Sequence, residues 1–141
     1  MGETGIEILL VEDCPSDAKL AVRWLAASPL VKSVHVAADG EQALAYLRGG
    51  PPFANAPRPQ LVLLDLNLPR MSGFEVLEAL KSDPELAPIP AIVLSGSAFA
   101  EDERRARELQ ASLCLRKPCD ADEFTAMVAA VETFWRSRAN A

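Results

Sequence analysis

The chain has 141 residues, half of them apolar and 24% charged, and its 14 lysines and arginines against 20 aspartates and glutamates give a net charge of −6. That length suits one domain with a proper core, and the acidic balance argues against a nucleic-acid surface or an anionic membrane as the main partner. No apolar run is long enough to span a bilayer, Met1 to Gly5 carries no basic-then-apolar signal, and Cys14, Cys114 and Cys119 form no C-x-x-C pair, a pattern that fits a reducing, cytoplasmic setting.

Ile6-Glu7-Ile8-Leu9-Leu10-Val11 is a β-branched and leucine-rich run, read as a first strand ending in the acidic pair Glu12-Asp13. Pro15 suits a first helical turn and Ser16 or Asp17 a cap. The helix then runs from Asp17 to Ala27 with Leu20, Ala21, Trp24 and Leu25 on one face, until Ser28-Pro29 stops it. Val31 to Ala38 alternates as a second strand, and Asp39-Gly40 turns the chain. Ala43, Leu44 and Leu47 then fall at helical spacing in Glu41 to Leu47, ahead of Gly49-Gly50. Pro51 to Pro59 is a proline-rich exposed loop.

Leu61-Val62-Leu63-Leu64 follows and runs into Asp65, the pattern of a buried parallel strand with a carboxylate at its tip. After a loop from Leu68 to Gly73, Phe74 to Lys81 forms a third helix with Phe74, Leu77 and Leu80 inward. Ile89 to Ser95 is a fourth strand interrupted early by Pro90, and Glu101 to Gln110 is a charged helix with a solvated face. Ser112 to Arg116 is a short fifth strand before Lys117-Pro118. Asp122 to about Arg136 is the last helix, with Phe124, Met127, Val128, Val131 and Trp135 on one stripe. Five strand–helix alternations without an internal repeat predict an α/β doubly wound parallel sheet covered by helices on both faces.

Four strand ends then carry polar groups: Glu12 and Asp13, Asp65, Ser95, and Lys117. Parallel strands end on one edge, where α/β proteins gather their chemistry, so these side chains can converge. Three carboxylates at close range repel unless a cation relieves them, and Mg²⁺ suits a site of few carboxylates plus water and phosphate. Lys117 offers a point charge and Ser95 a hydroxyl to a phosphate, which leaves Asp65 as a carboxylate nucleophile able to form an aspartyl phosphate. Each member alone has an ordinary reading. Asp13 caps a helix, Ser95 is a turn hydroxyl, Lys117 a solvated loop lysine and Asn67 a loop residue. The set is what points to phosphoryl chemistry. His35, the single histidine, has apolar neighbours and offers no zinc site.

These residues resemble the receiver domain of bacterial two-component response regulators. Ile8-Leu9-Leu10-Val11-Glu12-Asp13, Leu64-Asp65-Leu66-Asn67-Leu68-Pro69 with Ser72-Gly73, Leu94-Ser95-Gly96 and Lys117-Pro118 match in order. The resemblance implies a flavodoxin-like fold of five strands in the order 2-1-3-4-5 with five helices. It also implies a single receiver domain over residues 1–141 (core about 6–136) with no output domain. By the same resemblance Asp65 accepts phosphate from a sensor histidine kinase, and Asp13, Asp65 and the Asn67 backbone carbonyl bind Mg²⁺, with Glu12 acting through water. Ser95 and Lys117 contact the phosphoryl group.

A narrower resemblance is to the single-domain regulators that partner bacterial phytochromes, carried by Leu63 to Arg70, the proline-rich loop and Phe134-Trp135. It implies a light-regulated kinase partner and a homodimer through the fourth helix, fifth strand and fifth helix. One position departs from the family. Receivers usually place Tyr or Phe three residues before the lysine, where it swings inward when the Ser or Thr moves to the phosphate, and Cys114 stands there. Asn67 and Ser97 occupy positions where other receivers tune phosphate lifetime.

Two other classes compete with a signalling phosphoacceptor. A haloacid-dehalogenase-type phosphatase needs a second aspartate two positions past the nucleophile, and Asn67 stands there instead, so its general acid is missing. A scaffold that keeps the fold without being phosphorylated has no use for the full acidic set with Lys117.

Overall fold

The computed structural model describes residues 5–50, 53–96 and 98–139, so Met1 to Thr4, Pro51-Pro52 of the proline-rich loop and Ser97 lie outside the described residues. Strands and helices alternate through β1 (Ile6–Val11), α1 (Pro15–Ala26), β2 (Val31–Ala37), α2 (Gly40–Arg48) and β3 (Leu61–Asp65). They continue through α3 (Gly73–Ser82), β4 (Ala91–Ser95), α4 (Phe99–Glu108), β5 (Leu113–Arg116) and α5 (Ala121–Ala139). The strands form one parallel sheet in the order β2-β1-β3-β4-β5, the flavodoxin-like order expected.

Alternation along the strands sends side chains to two separate cores. Leu9, Val11, Val62, Leu64, Ala91 and Val93 pack beneath α2, α3 and α4. Ile8, Leu10, Leu61, Leu63, Ile92 and Leu94 pack against α1 and α5, where the expected stripe Phe124, Met127 and Val131 is buried and Trp24 stacks on Phe124 at 5.9 Å. All five residues of β3 and of β4 are buried, as a central parallel strand covered on both faces must be. Of α4 only Ala106 is buried, so the charged fourth helix does present a solvated face.

Several boundaries and contacts differ from the sequence reading, each for a local reason. Cys14, not Ser16 or Asp17, is the N-cap of α1, with no side-chain capping bond to the helix backbone, because Pro15 takes the first helical position and pushes the start upstream. Leu20 is 41% exposed although it shares a helical face with Ala21 and Leu25, since it lies over an open cleft between α1 and α5. Pro90 cannot donate to the ladder, so β4 begins at Ala91 and Pro90 contributes only its carbonyl, accepting from Val62 N at 3.0 Å. Phe74 is only half-buried, with the Arg105 guanidinium 4.2 Å above its ring. The fourth helix starts two residues before Glu101, at Phe99, and stops at Glu108, before Gln110 enters the left-handed region at φ 71°.

Candidate functional site

Register brings the strand ends level. Val11 pairs with Leu64, so Glu12 emerges beside Asp65, while Asp65 pairs with Leu94 and Ser95 with Arg116, which sets Lys117 one step above Ser95. Main-chain bonds hold these ends where the ladders stop: Glu12 N to Ala37 O at 3.0 Å, Leu66 N to Leu94 O at 3.2 Å and Lys117 N to Ser95 O at 2.7 Å. The start of α3 presses on the same edge. Ser72 caps it through a reciprocal box with Glu75, and a Cβ on Gly73 would stand 2.5 Å from Leu66 Cα and 2.6 Å from Asp65 O.

Four of the expected residues meet in one pocket. Glu12, Asp13 and Asp65 each bring a carboxylate oxygen within 4.8 Å of the others. Lys117 Nζ lies 2.8 Å from Asp65 Oδ2 and 3.2 Å from Glu12 Oε1, with Asp17 Oδ2 at 3.7 Å on the open side. Asp65 is 2% exposed and Glu12 is buried, whereas Asp13 faces solvent at the rim. Glu12 Oε2 accepts from Cys14 N at 3.1 Å, and Asp65 Oδ1 accepts from Asn67 N at 3.0 Å. The described contact of Asn67 with Asp65 is thus through its amide.

Ser95 borders the same cleft between α1 and α5, but its hydroxyl turns away from this group. Its hydroxyl donates to Asp102 Oδ2 in the first turn of α4 at 2.6 Å, and the side chain is 1% exposed. Strand parity is the reason. Ser95 continues the Ala91, Val93 side of β4, which faces the α4 core, whereas Asp65 continues the Leu61, Leu63 side, which faces α1 and α5. Asp102 is a partner that the sequence reading missed, although its position seven residues past Ser95 in a helical first turn, together with that parity, would have found it.

The charges explain the titration of the pocket. Burial pushes the Glu12 carboxyl above its ordinary range; the Cys14 amide opposes this, the neighbouring Asp65 charge adds to it, and Lys117 draws it back. Burial also works against the Lys117 charge, but the hydrogen bond and charge of Asp65, followed by those of Glu12, outweigh it and hold the ammonium above the usual lysine value. Glu12, Asp13 and Asp65, with Asp17 at the rim, set four carboxyl groups against one ammonium, and two of the four are buried. An oxygen-only donor set with that excess and one solvent-facing member fits a hard divalent cation that keeps part of its water. A cleft of ≈ 620 Å³ opens beside the pocket between α1 and α5, lined by Leu20, Phe124 and Met127 as well as by Glu12 and Lys117.

A buried carboxylate at a parallel sheet's carboxyl edge, flanked by two acids and a lysine, defines a receiver, and the chain belongs to the response regulator receiver domain family, whose model matches residues 8–129. Within that family it is similar to Response regulator Rcp1 of Synechocystis sp., at 38% identity over 128 residues covering 91% of this chain and 87% of that protein. It is also similar to the solved structure of the phosphorylated cyanobacterial phytochrome response regulator RcpA, with 40% identity, a TM-score of 0.84 and coverage of 95% of this chain and 96% of that one. The Mn²⁺-bound form of Rcp1 superposes with a TM-score of 0.82 at 38% identity, covering 92% of this chain and 94% of that one. Among the described residues no helix is long and apolar enough to cross a membrane.

Proposed function

We propose that Asp65 accepts a phosphoryl group from the phosphohistidine of a sensor kinase and that the protein, acting as a single receiver unit, passes the signal on through its own surface or by onward transfer. The observation that carries this reading is the buried Asp65 carboxylate with Lys117 Nζ 2.8 Å from one oxygen and two further acids beside it. Such a carboxylate is oriented, stripped of bulk water and paired with a movable cation. In the transfer, an Asp65 oxygen bonds to phosphorus as the phosphorus–nitrogen bond breaks. The electron pair returns to the kinase imidazole, which takes up a proton. Lys117 follows the charge from the carboxylate to the phosphoryl oxygens, and Ser95 supplies a hydroxyl to another oxygen. Positioning and charge neutralisation are most of what this loose transition state needs.

Asp13, Asp65 and the Asn67 carbonyl are the ligands we assign to Mg²⁺, with Glu12 acting through water; when bound, the ion offsets charge on the transferring oxygens. The likeness to the phytochrome response regulator RcpA supports a bacterial phytochrome as the kinase, in the cytoplasm. The surface of α4, β5 and α5 is the one through which a second copy would pair. Intact-mass measurement after incubation with acetyl phosphate tests the chemistry: wild type gains one phosphoryl group only with Mg²⁺, and Asp65→Asn gains none. A mutant that labels like wild type would sink the assignment. Transfer from a phytochrome kinase that differs between its two light states tests the partner.

A further inference from the structure

Asp102 belongs to α4, outside the acidic pocket, yet it holds the one hydroxyl that the pocket would use. The Ser95 Oγ to Asp102 Oδ2 distance of 2.6 Å is that of a charge-assisted bond, among the stronger kinds in proteins. A serine hydroxyl has a single proton to donate. It can go to Asp102 or to a phosphoryl oxygen on Asp65, and not to both. We propose that Asp102 is a positioning residue that latches Ser95 toward α4 in the unphosphorylated protein, and that phosphorylation releases the first turn of α4 by taking the Ser95 proton. The phosphoryl half of this statement rests on the function proposed above.

The surroundings make α4 a fitting receiver of that release. Ala106 is the only residue of the helix that is fully buried, so its hold on the core is light. Its other tie to the site is the Phe99 ring, which carries the Arg116 guanidinium at 4.4 Å, one residue before Lys117. Cys114, where the family has an aromatic, lies across from the helix. A space of ≈ 160 Å³ lined by Glu103, Ala106, Arg107, Ala111 and Cys114 separates α4 from β5 there. A thiol is too small to couple the two by bulk. The Ser95–Asp102 bond joins the strand tip to the helix directly and needs no swinging ring. Once Ser95 turns away, the half-buried Asp102 carboxylate has lost its donor and turns to water for another, which loosens the first turn.

The experiment has two arms. In the unphosphorylated protein, amide hydrogen exchange is followed at Asp102 and Glu103. Ser95→Ala and Asp102→Ala each raise exchange there by about tenfold, and the double variant raises it no further, because both remove one bond. Independent, additive effects overturn the latch, and so does no effect at all. In the second arm, acetyl phosphate with Mg²⁺ labels Asp102→Ala about tenfold faster than wild type and Asp102→Asn about threefold faster, since a neutral acceptor holds the hydroxyl more weakly. The gain vanishes in a Ser95→Ala background. Asp102→Ala labelling no faster than wild type, or faster regardless of Ser95, overturns the proposal. A folding defect would slow labelling in both backgrounds, and Asp102→Asn keeps the side-chain shape as a check. A wild type that never labels removes the phosphoacceptor reading, while the exchange arm still decides whether the latch exists.

Discussion

Cys114 shows what a single side chain can report. Burial, with the nearby Glu103 and Asp102 charges adding to it, pushes its thiol up to about 11. The thiol therefore stays protonated where the thiolate of an unfolded chain has already formed, so its linkage to stability is lost as pH rises through 9 toward 11. Alkylation followed by mass spectrometry at pH 8 should modify exposed Cys119 well before Cys114, and the Cys114 rate should climb only as pH approaches 11. A Cys114 rate that levels off near pH 9 would contradict the assigned environment. The substitution of an aromatic by Cys114 was legible in the sequence, and so were Glu12, Asp13, Asp65 and Lys117, because each stands within two residues of the end of an apolar run. The direction of Ser95 was not read, because it depends on which face of β4 meets which helix. That assignment requires the crossovers as well as the strand.

At the level of elements, the junction of β3 with α3 sets the position of Asp65. Gly73 is there because nothing larger fits against the Leu66 and Asp65 main chain. Gly73→Ala should lower stability by about 1–3 kcal/mol through overpacking. Ser72→Ala, which breaks the capping box without moving the backbone, should cost about 1 kcal/mol. Urea melts measure both. The discriminating readout is acetyl phosphate labelling, which Gly73→Ala should slow and Ser72→Ala should spare. Equal labelling by the two variants would mean that the contact does not position Asp65. Elements themselves were clear from periodicity, and their ends less so. Pro15 and Pro90 each shifted a boundary by two residues because a missing N–H changes where a helix or ladder can begin.

For the molecule as a whole, the proposed cation site at the sheet edge makes folding stability a readout of divalent cations. Mg²⁺ at a hundredfold excess over its dissociation constant should add about 2.7 kcal/mol and raise the melting temperature by roughly 10 °C. Asp13 is exposed, so Asp13→Ala should leave the metal-free melt within about 0.5 kcal/mol of wild type. The same variant should lose most of the Mg²⁺ shift in calorimetry. An unchanged shift would remove Asp13 from the ligand set. The sheet order behind that edge was legible as a class from the five alternations. The order itself came from the family likeness, since periodicity does not say which strands are neighbours.

That order also divides the protein by what its residues must specify. β1, β3, β4 and β5 each deliver a named side chain or lead into one. β2 delivers none: it is paired on one side, leaves Val36 43% exposed, and reaches the site only through the Ala37 carbonyl that accepts from Glu12 N. A carbonyl is common to every residue. The site therefore depends on the path of the chain along β2 more than on its exposed side chains, so the outer face of this flank can diverge for other purposes, recognition of partners included, without altering the sheet edge.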